Sequence, residues 1–229
     1  MKITAISDLH GHLPELAGGD LLIIAGDLTA HDRKEEYEMF IGWLRIQDYK
    51  KKVVIAGNHD TLLEKNEYLR AHLGWHSSYL QDSGIEYEGA KIWGSPWTRT
   101  FPGINPNCKA FTVDMEEQLQ EKWNRIPTDI DILITHIPPH GVFDEIKDRK
   151  GKCIHTGSTS LRDTLLKKNF NRLHLHVFGH IHEHGGKILT LPSKAGYLIN
   201  ASIMDEVYDP IHDPVSIEAY FHNIQNKKD

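Results

Sequence analysis

Five short clusters of residues suited to metal chemistry punctuate the chain: Asp8-Leu9-His10, Gly26-Asp27, Gly57-Asn58-His59-Asp60, His136 and Gly179-His180-Ile181-His182. With His59 set aside, Asp8, His10, Asp27, Asn58, His136, His180 and His182 are nitrogen and oxygen donors in the number that two divalent ions require. Mixed imidazole and carboxylate ligation suits zinc, manganese or iron. Two ions about 3.5–4 Å apart need a carboxylate that bridges them and takes up part of their charge. Asp27, delivered after Gly26, is the natural bridge. The i, i+2 spacing of Asp8 with His10, and of His180 with His182, sets both members of each pair on one side of extended backbone. A strand end of this kind offers two ligands at once.

Elements that would position these clusters are visible around them. Lys2 to Ser7, Leu21 to Ala25 and Lys52 to Ala56 are apolar runs of strand length, and each stops at a cluster. Between the second and third, Tyr37, Phe40, Ile41 and Leu44 keep helical spacing within Arg33 to Lys50. That βαβ order predicts parallel strands, whose ends open on the crevice where α/β sheets bind ligands. Ile130 to Thr135 would deliver His136, and Leu173 to Phe178 would deliver His180 and His182. Ile85 to Glu88 and Ala90 to Gly94 alternate around Gly89 as a hairpin. Helices are predicted over Glu116 to Trp123, stopped by Pro127, and from about Leu161 to Lys168, with Ser160 and Asp163 at capping-box spacing. Lys187 to Leu191, Gly196 to Ala201 and Val215 to Phe221 alternate as strands. Two stretches are irregular, about 95–112 with Pro96, Pro102 and Pro106, and 137–159 with a charged run. The first is longer than a plain connection usually is. The expectation is an α/β (α+β) fold of two packed sheets flanked by helices, in a single domain over residues 1–229.

Composition narrows the function classes. With 26 basic and 32 acidic residues among 229, the net charge of −6 argues against a partner as anionic as long nucleic acid. Two cysteines, Cys108 and Cys153, make neither a disulfide framework nor a cysteine zinc knot. The apolar start meets Asp8 too early for a signal segment, and no apolar run approaches the ~20 residues of a membrane span. A cytoplasmic, membrane-free protein is expected. Sixteen histidines are an excess worth following.

The clusters stand in the order and approximate spacing of the calcineurin-like metallophosphoesterases, and the chain resembles that superfamily over residues 8–182. Trp93-Gly94-Ser95-Pro96-Trp97-Thr98, Thr135-His136-Ile137-Pro138-Pro139 and His176-Val177-Phe178-Gly179 are similar to the metallophosphoesterase-domain (MPPED) phosphodiesterase branch. The resemblance implies a four-layer αββα sandwich of two mixed β-sheets. It also implies one metal on Asp8, His10, Asp27 and His182, and a second on Asp27, Asn58, His136 and His180. A hydroxide between them would attack phosphorus in line. His59 would serve as general acid, with Asp60 as its orienting partner. Two divalent ions against Asp8, Asp27 and a hydroxide leave about +1 locally, enough to attract an anionic ester.

His12, His31 and His140 lie beside the clusters and are candidate substrate contacts. Trp97 could stack on a base and Arg99 could pair with phosphate. The expected substrate is a small phosphodiester, with a cyclic nucleotide as the leading candidate. A broad phosphomonoesterase or protein phosphatase is the alternative, although Asp32 and Arg33 do not fall in the register of the protein phosphatases. A non-catalytic scaffold of the same fold is the third reading, disfavoured because none of the ligands is missing. His174 and His176 share one face of a strand and are expected to be structural.

Overall fold

The computed structural model describes residues 1–100, 108–148, 150–191 and 196–221. Phe101, Pro102 and Pro106 of the proline-containing stretch fall outside them. Chain order is β1 (Lys2–Ile6), β2 (Gly19–Ala25), α1 (Lys34–Ile46), β3 (Tyr49–Ile55), α2 (Thr61–Lys65), α3 (Glu67–Gly74), β4 (Ser78–Tyr79), β5 (Ser83–Tyr87), β6 (Ala90–Ser95), β7 (Thr98–Arg99), β8 (Thr112–Val113) and α4 (Glu116–Trp123). There follow β9 (Ile132–Thr135), β10 (Glu145–Lys147), β11 (Cys153–His155), α5 (Thr159–Lys167), β12 (Leu175–Phe178), β13 (Ile188–Leu191), β14 (Gly196–Asn200) and β15 (Val215–Glu218).

Two large mixed sheets carry the fold. The first has the order β15-β1-β2-β3-β4, the second β13-β14-β12-β9-β6-β5. In each the inner pairings are parallel, β1 with β2 and β2 with β3 in one, β6 with β9, β9 with β12 and β12 with β14 in the other. Both therefore present a row of strand ends on the same side. Strand alternation explains why the sheets stack. Ile3, Leu21, Ile23, Val53 and Ile55 of the first sheet meet Ile92, Ile132, Ile134, Val177 and Ile199 of the second in one buried core.

The opposite faces are covered by helices. Ile6, Leu22, Ile24 and Val54 pack under Tyr37, Phe40, Ile41 and Leu44 of α1 and Leu69 and Leu73 of α3. Leu133 packs against Leu119 and Trp123 of α4 and Leu161 of α5. The αββα order follows, and each such side chain fully buried contributes about 1.5–3 kcal/mol.

Three local differences from the sequence expectation have identifiable causes. Helix α5 begins two residues before the expected start, because Ser158 caps it by accepting from the Leu161 N–H at 3.0 Å. The Ser160 hydroxyl is instead engaged with Glu116 at 3.1 Å. The irregular stretch 137–159 contains the hairpin of β10 and β11, and residues 61–79 hold α2, α3 and β4, short elements without a long apolar run to announce them.

Candidate metal centre

The predicted ligands gather where the strand ends of both sheets converge. Asp8 and His10 follow β1, Asp27 follows β2, Asn58 follows β3, His136 follows β9, and His180 and His182 follow β12. Their backbones are tied together across strands: Asp8 N–H donates to the Gly26 carbonyl at 2.9 Å, His10 N–H to that of Asp27 at 3.0 Å, and Gly179 N–H to that of His136 at 3.0 Å. Asp8, His10, Asp27 and His180 have φ of 56°, 41°, 53° and 69°. These left-handed conformations are uncommon for residues with a Cβ and cluster at functional sites. Glycine is required for close approach at two places. A Cβ on Gly57 would overlap the Asp27 carboxylate, and one on Gly179 would overlap Ser7 and Asp8.

Asp27 stands at the middle of the side chains. Its Oδ2 lies 3.2 Å from His136 Nε2, 3.8 Å from His10 Nε2 and 4.0 Å from His59 Nε2. Asp8 Oδ1 lies 3.5 Å from His182 Nε2, and the Asp8 carboxylate accepts the His180 N–H at 3.0 Å. Two imidazoles have their orientation fixed from behind. His136 Nδ1 faces the Ala25 carbonyl at 2.8 Å and His182 Nδ1 the Asp205 carbonyl at 3.0 Å. A carbonyl can only accept, so each Nδ1 carries a proton, and in the neutral ring each Nε2 presents its lone pair to the centre.

That arrangement tests whether a metal fits. The His136 Nε2 lone pair is aimed at two further acceptors, Asn58 Oδ1 at 3.0 Å and Asp27 Oδ2 at 3.2 Å. His10 Nε2 is buried without a hydrogen-bond partner among the described residues. Electron-rich atoms converge and want a cation. The ligand atoms of Asp8, His10 and His182 lie within 4.8 Å of one another, as do those of Asp8, Asp27 and His136. The residues fit divalent ions.

Protonation follows the same logic. Burial alone would depress the His136 imidazole, but the Asp27 carboxylate beside it raises it to about 9. Burial would lift the Asp27 carboxyl, yet the charge of His136 and then His59 holds it well below the usual range. Asp8 is likewise raised by burial and held low by His182. Burial, with Asp27 and Asp8 opposing, takes His10 down to about 4, and burial, reinforced by His136, takes His180 down to about 3. A proton on His136 does in part what a cation does completely.

His59 sits at the edge of the cluster with its side chain 16% exposed, on the wall of a groove of about 430 Å³. Asp60 does not orient it. The Asp60 carboxylate accepts the N–H groups of Gly57 at 2.7 Å, Asp27 at 3.0 Å and Leu28 at 3.1 Å, and the Tyr37 hydroxyl at 3.1 Å. It staples the Asp27 loop to the Asn58 loop. The neighbour of His59 Nδ1 is Cys108 Sγ at 3.2 Å.

The expected substrate contacts divide. Arg99 lines the groove. Trp97 does not: its Nε1 donates to Asp82 at 2.8 Å, its ring packs on Phe111, and Lys122 lies over its face, so it anchors the loop to the body. His12 and His31 are exposed away from the groove, His31 beside Glu36 at 3.2 Å. His140 borders an adjoining cavity rather than the groove itself. His176 is buried with Nε2 2.9 Å from Thr135 Oγ1, the structural role expected of it.

Tyr208 is the residue the motifs do not reveal. Its ring stands edge-on over His10 at 4.7 Å and His182 at 5.0 Å and lines the groove, with φ of 67°. Burial, and then the Asp27 charge, raises its hydroxyl to about 12. Asp205, whose carbonyl holds His182, also accepts the Val207 and Asp209 N–H groups and so shapes the Tyr208 loop. The available signal was position, since this loop follows the parallel strand β14 and strand ends line the crevice.

Two stacked mixed sheets flanked by helices, with carboxylates and imidazoles convergent at their strand ends, define the architecture of metal-dependent phosphoesterases. The chain belongs to the calcineurin-like phosphoesterase family, which matches residues 1–184. It is 31% identical to human Metallophosphoesterase domain-containing protein 1 over 242 residues, covering 95% of this chain and 70% of that protein. It is 32% identical to the Caenorhabditis elegans UPF0046 protein C25E10.12 over 236 residues, covering 94% and 79%. The crystal structure of TT1561 of Thermus thermophilus shares the fold, with a TM-score of 0.58 at 17% identity over 87% of this chain and 88% of that one.

Proposed function

We propose that the protein hydrolyses small phosphodiesters at a dinuclear centre, with Asp8, His10, Asp27 and His182 holding one ion, and Asp27, Asn58, His136 and His180 the other. The observation that carries this reading is the gathering of His136 Nε2 and His10 Nε2 about Asp27 Oδ2, with Asn58 Oδ1 on the same His136 nitrogen at 3.0 Å. Divalent ions bound there supply a water of lowered pKa and neutralise phosphoryl charge. The chain does the rest. Asp27 and Asn58 are fixed relative to each other by the Asp60 staple, and His136 and His182 by their carbonyl partners. His59 Nε2 stands beside the centre at the groove wall, where it can give a proton to the leaving oxygen. Arg99 and Tyr208 face the bound ester, the first matching its charge and the second covering one side.

The groove volume is in the range of small-molecule sites, which supports a small ester. A cyclic nucleotide meets that requirement, and the protein's kinship to a metallophosphoesterase-domain protein is in keeping with it. Turnover of bis(p-nitrophenyl) phosphate against p-nitrophenyl phosphate in manganese tests the reading. Faster diester turnover is expected. Activity confined to the monoester would replace it with the phosphomonoesterase alternative.

A further inference from the structure

Two of the surplus histidines meet at a second cluster. His140 and His155 pack with ring centroids 5.0 Å apart, and both turn Nδ1 toward one carboxylate. Asp144 Oδ1 is 2.7 Å from His155 Nδ1, and Asp144 Oδ2 is 3.4 Å from His140 Nδ1. Asp144 is 1% exposed. Its position is built: Gly157 N–H donates to Oδ2 at 3.0 Å, while the Asp144 carbonyl accepts the Thr156 N–H and hydroxyl, each at 3.0 Å. A Cβ on Gly157 would press within 2.9 Å of that carboxylate. The backbone holds the other two residues as well, through His140 N–H on the Ser158 carbonyl at 3.0 Å and the pairing of Glu145 with His155 in the β10–β11 hairpin.

The ligand atoms of the three residues lie within 4.8 Å of one another. Tetrahedral zinc with bonds of about 2.0–2.1 Å sets its donors about 3.3 Å apart. The 3.4 Å between Asp144 Oδ2 and His140 Nδ1 matches that spacing, whereas the 2.7 Å between Oδ1 and His155 Nδ1 is a hydrogen-bond distance that an ion would widen. Without an ion the two Nδ1–H groups reach one Asp144 oxygen each, the second only at 3.4 Å, whereas an ion would take a lone pair from each ring. Two nitrogen donors favour a late transition metal over calcium or magnesium. His140 and His155 also line a cavity of about 300 Å³ that shares Arg99, Thr100, Ile146 and Thr156 with the catalytic groove.

We propose that His140, Asp144 and His155 form a separate mononuclear site for a zinc-class ion, with three protein ligands and its open position toward this cavity. The ion pins the β10–β11 hairpin to the segment after His136, and so holds one wall shared with the groove. The proposal does not depend on how many ions the catalytic centre holds.

Metal counting tests it by difference. Protein loaded with zinc and freed of excess should carry one equivalent more in the unaltered chain than in His155→Ala, and the variant should lose part of the zinc-dependent rise in melting temperature. Equal zinc content in the two would overturn the site. Should His155→Ala fail to fold, the unaltered chain decides. Crystals grown with zinc should show an anomalous peak between His140, Asp144 and His155. Density elsewhere but none there would refute the proposal.

Discussion

His59 and Asp60 are neighbours in sequence with opposite surroundings, one at the wall of a groove and the other sealed among backbone N–H groups. The His59 backbone N–H donates to Asp27 Oδ1 at 2.9 Å whatever its side chain is. His59→Ala should therefore keep its metal content while kcat for a diester falls about 10²–10⁴-fold, the loss typical of a missing general acid. Metal lost along with activity would show that the ring supports the centre instead. For Asp60 the expectation is different. Burial and then the negative Asp27 push its carboxyl up to about 7, against the opposing N–H groups of Gly57 and Leu28. Asp60→Asn puts an amide donor among these donors and should cost about 1–3 kcal/mol, the penalty for buried groups left unsatisfied. Urea unfolding would measure it, and an unchanged midpoint would contradict the staple. The residue types at both positions were legible because Asn-His-Asp is a rare string. The division of labour between them was not, since it depends on which groups arrive from β2 and α1.

At the level of elements, strand ends and their clusters were readable together, because an apolar run that stops at a carboxylate or imidazole is a signal within a few residues. The ligand loops are also where the backbone is held in left-handed conformations, and their closeness leaves no room for extra atoms. Gly179→Ala should force Ser7 and Asp8 apart, lower stability by about 1–3 kcal/mol as overpacked sites do, and reduce metal retention. Metal analysis with thermal unfolding would detect both, and a variant that kept its full metal complement would show that β12 and β1 can move apart freely. Other elements were hidden for a physical reason. The start of α5 is braced by Glu116 of α4, whose Oε1 accepts from the hydroxyls of both Ser158 and Ser160, contacts between residues 42 and 44 positions apart. Trp97 looked like a stacking platform because an isolated aromatic carries no record of Asp82 and Lys122 around it. Tyr208 lay beyond the motifs in a loop whose relevance comes from the strand it follows.

At the scale of the molecule, the proposed ligands come from both sheets, Asp8, His10, Asp27 and Asn58 from the first and His136, His180 and His182 from the second. Metal removal by a chelator should lower the melting temperature, because an ion at a hundred times its dissociation constant contributes about 2.7 kcal/mol. An unchanged melting temperature would mean that the sheets hold together without it. Acid should weaken the fold through a residue outside the centre. Burial takes His176 from its ordinary 6.5 down to about 3. Between these values the unfolded chain binds more protons than the folded one, so the His176 contribution is complete above about 6.5 and is lost as pH falls toward 3. His176→Gln should flatten the stability profile over that window, and an unaltered profile would assign the acid loss to other groups. The pairing of β15 with β1 has a consequence in time. β1 is made long before β15, and its outer edge is covered only when Val215 to Glu218 arrive, so during synthesis the nascent first sheet exposes an unpaired edge until those residues emerge. Chains interrupted before residue 215 would carry that edge permanently, and would be the ones to find each other.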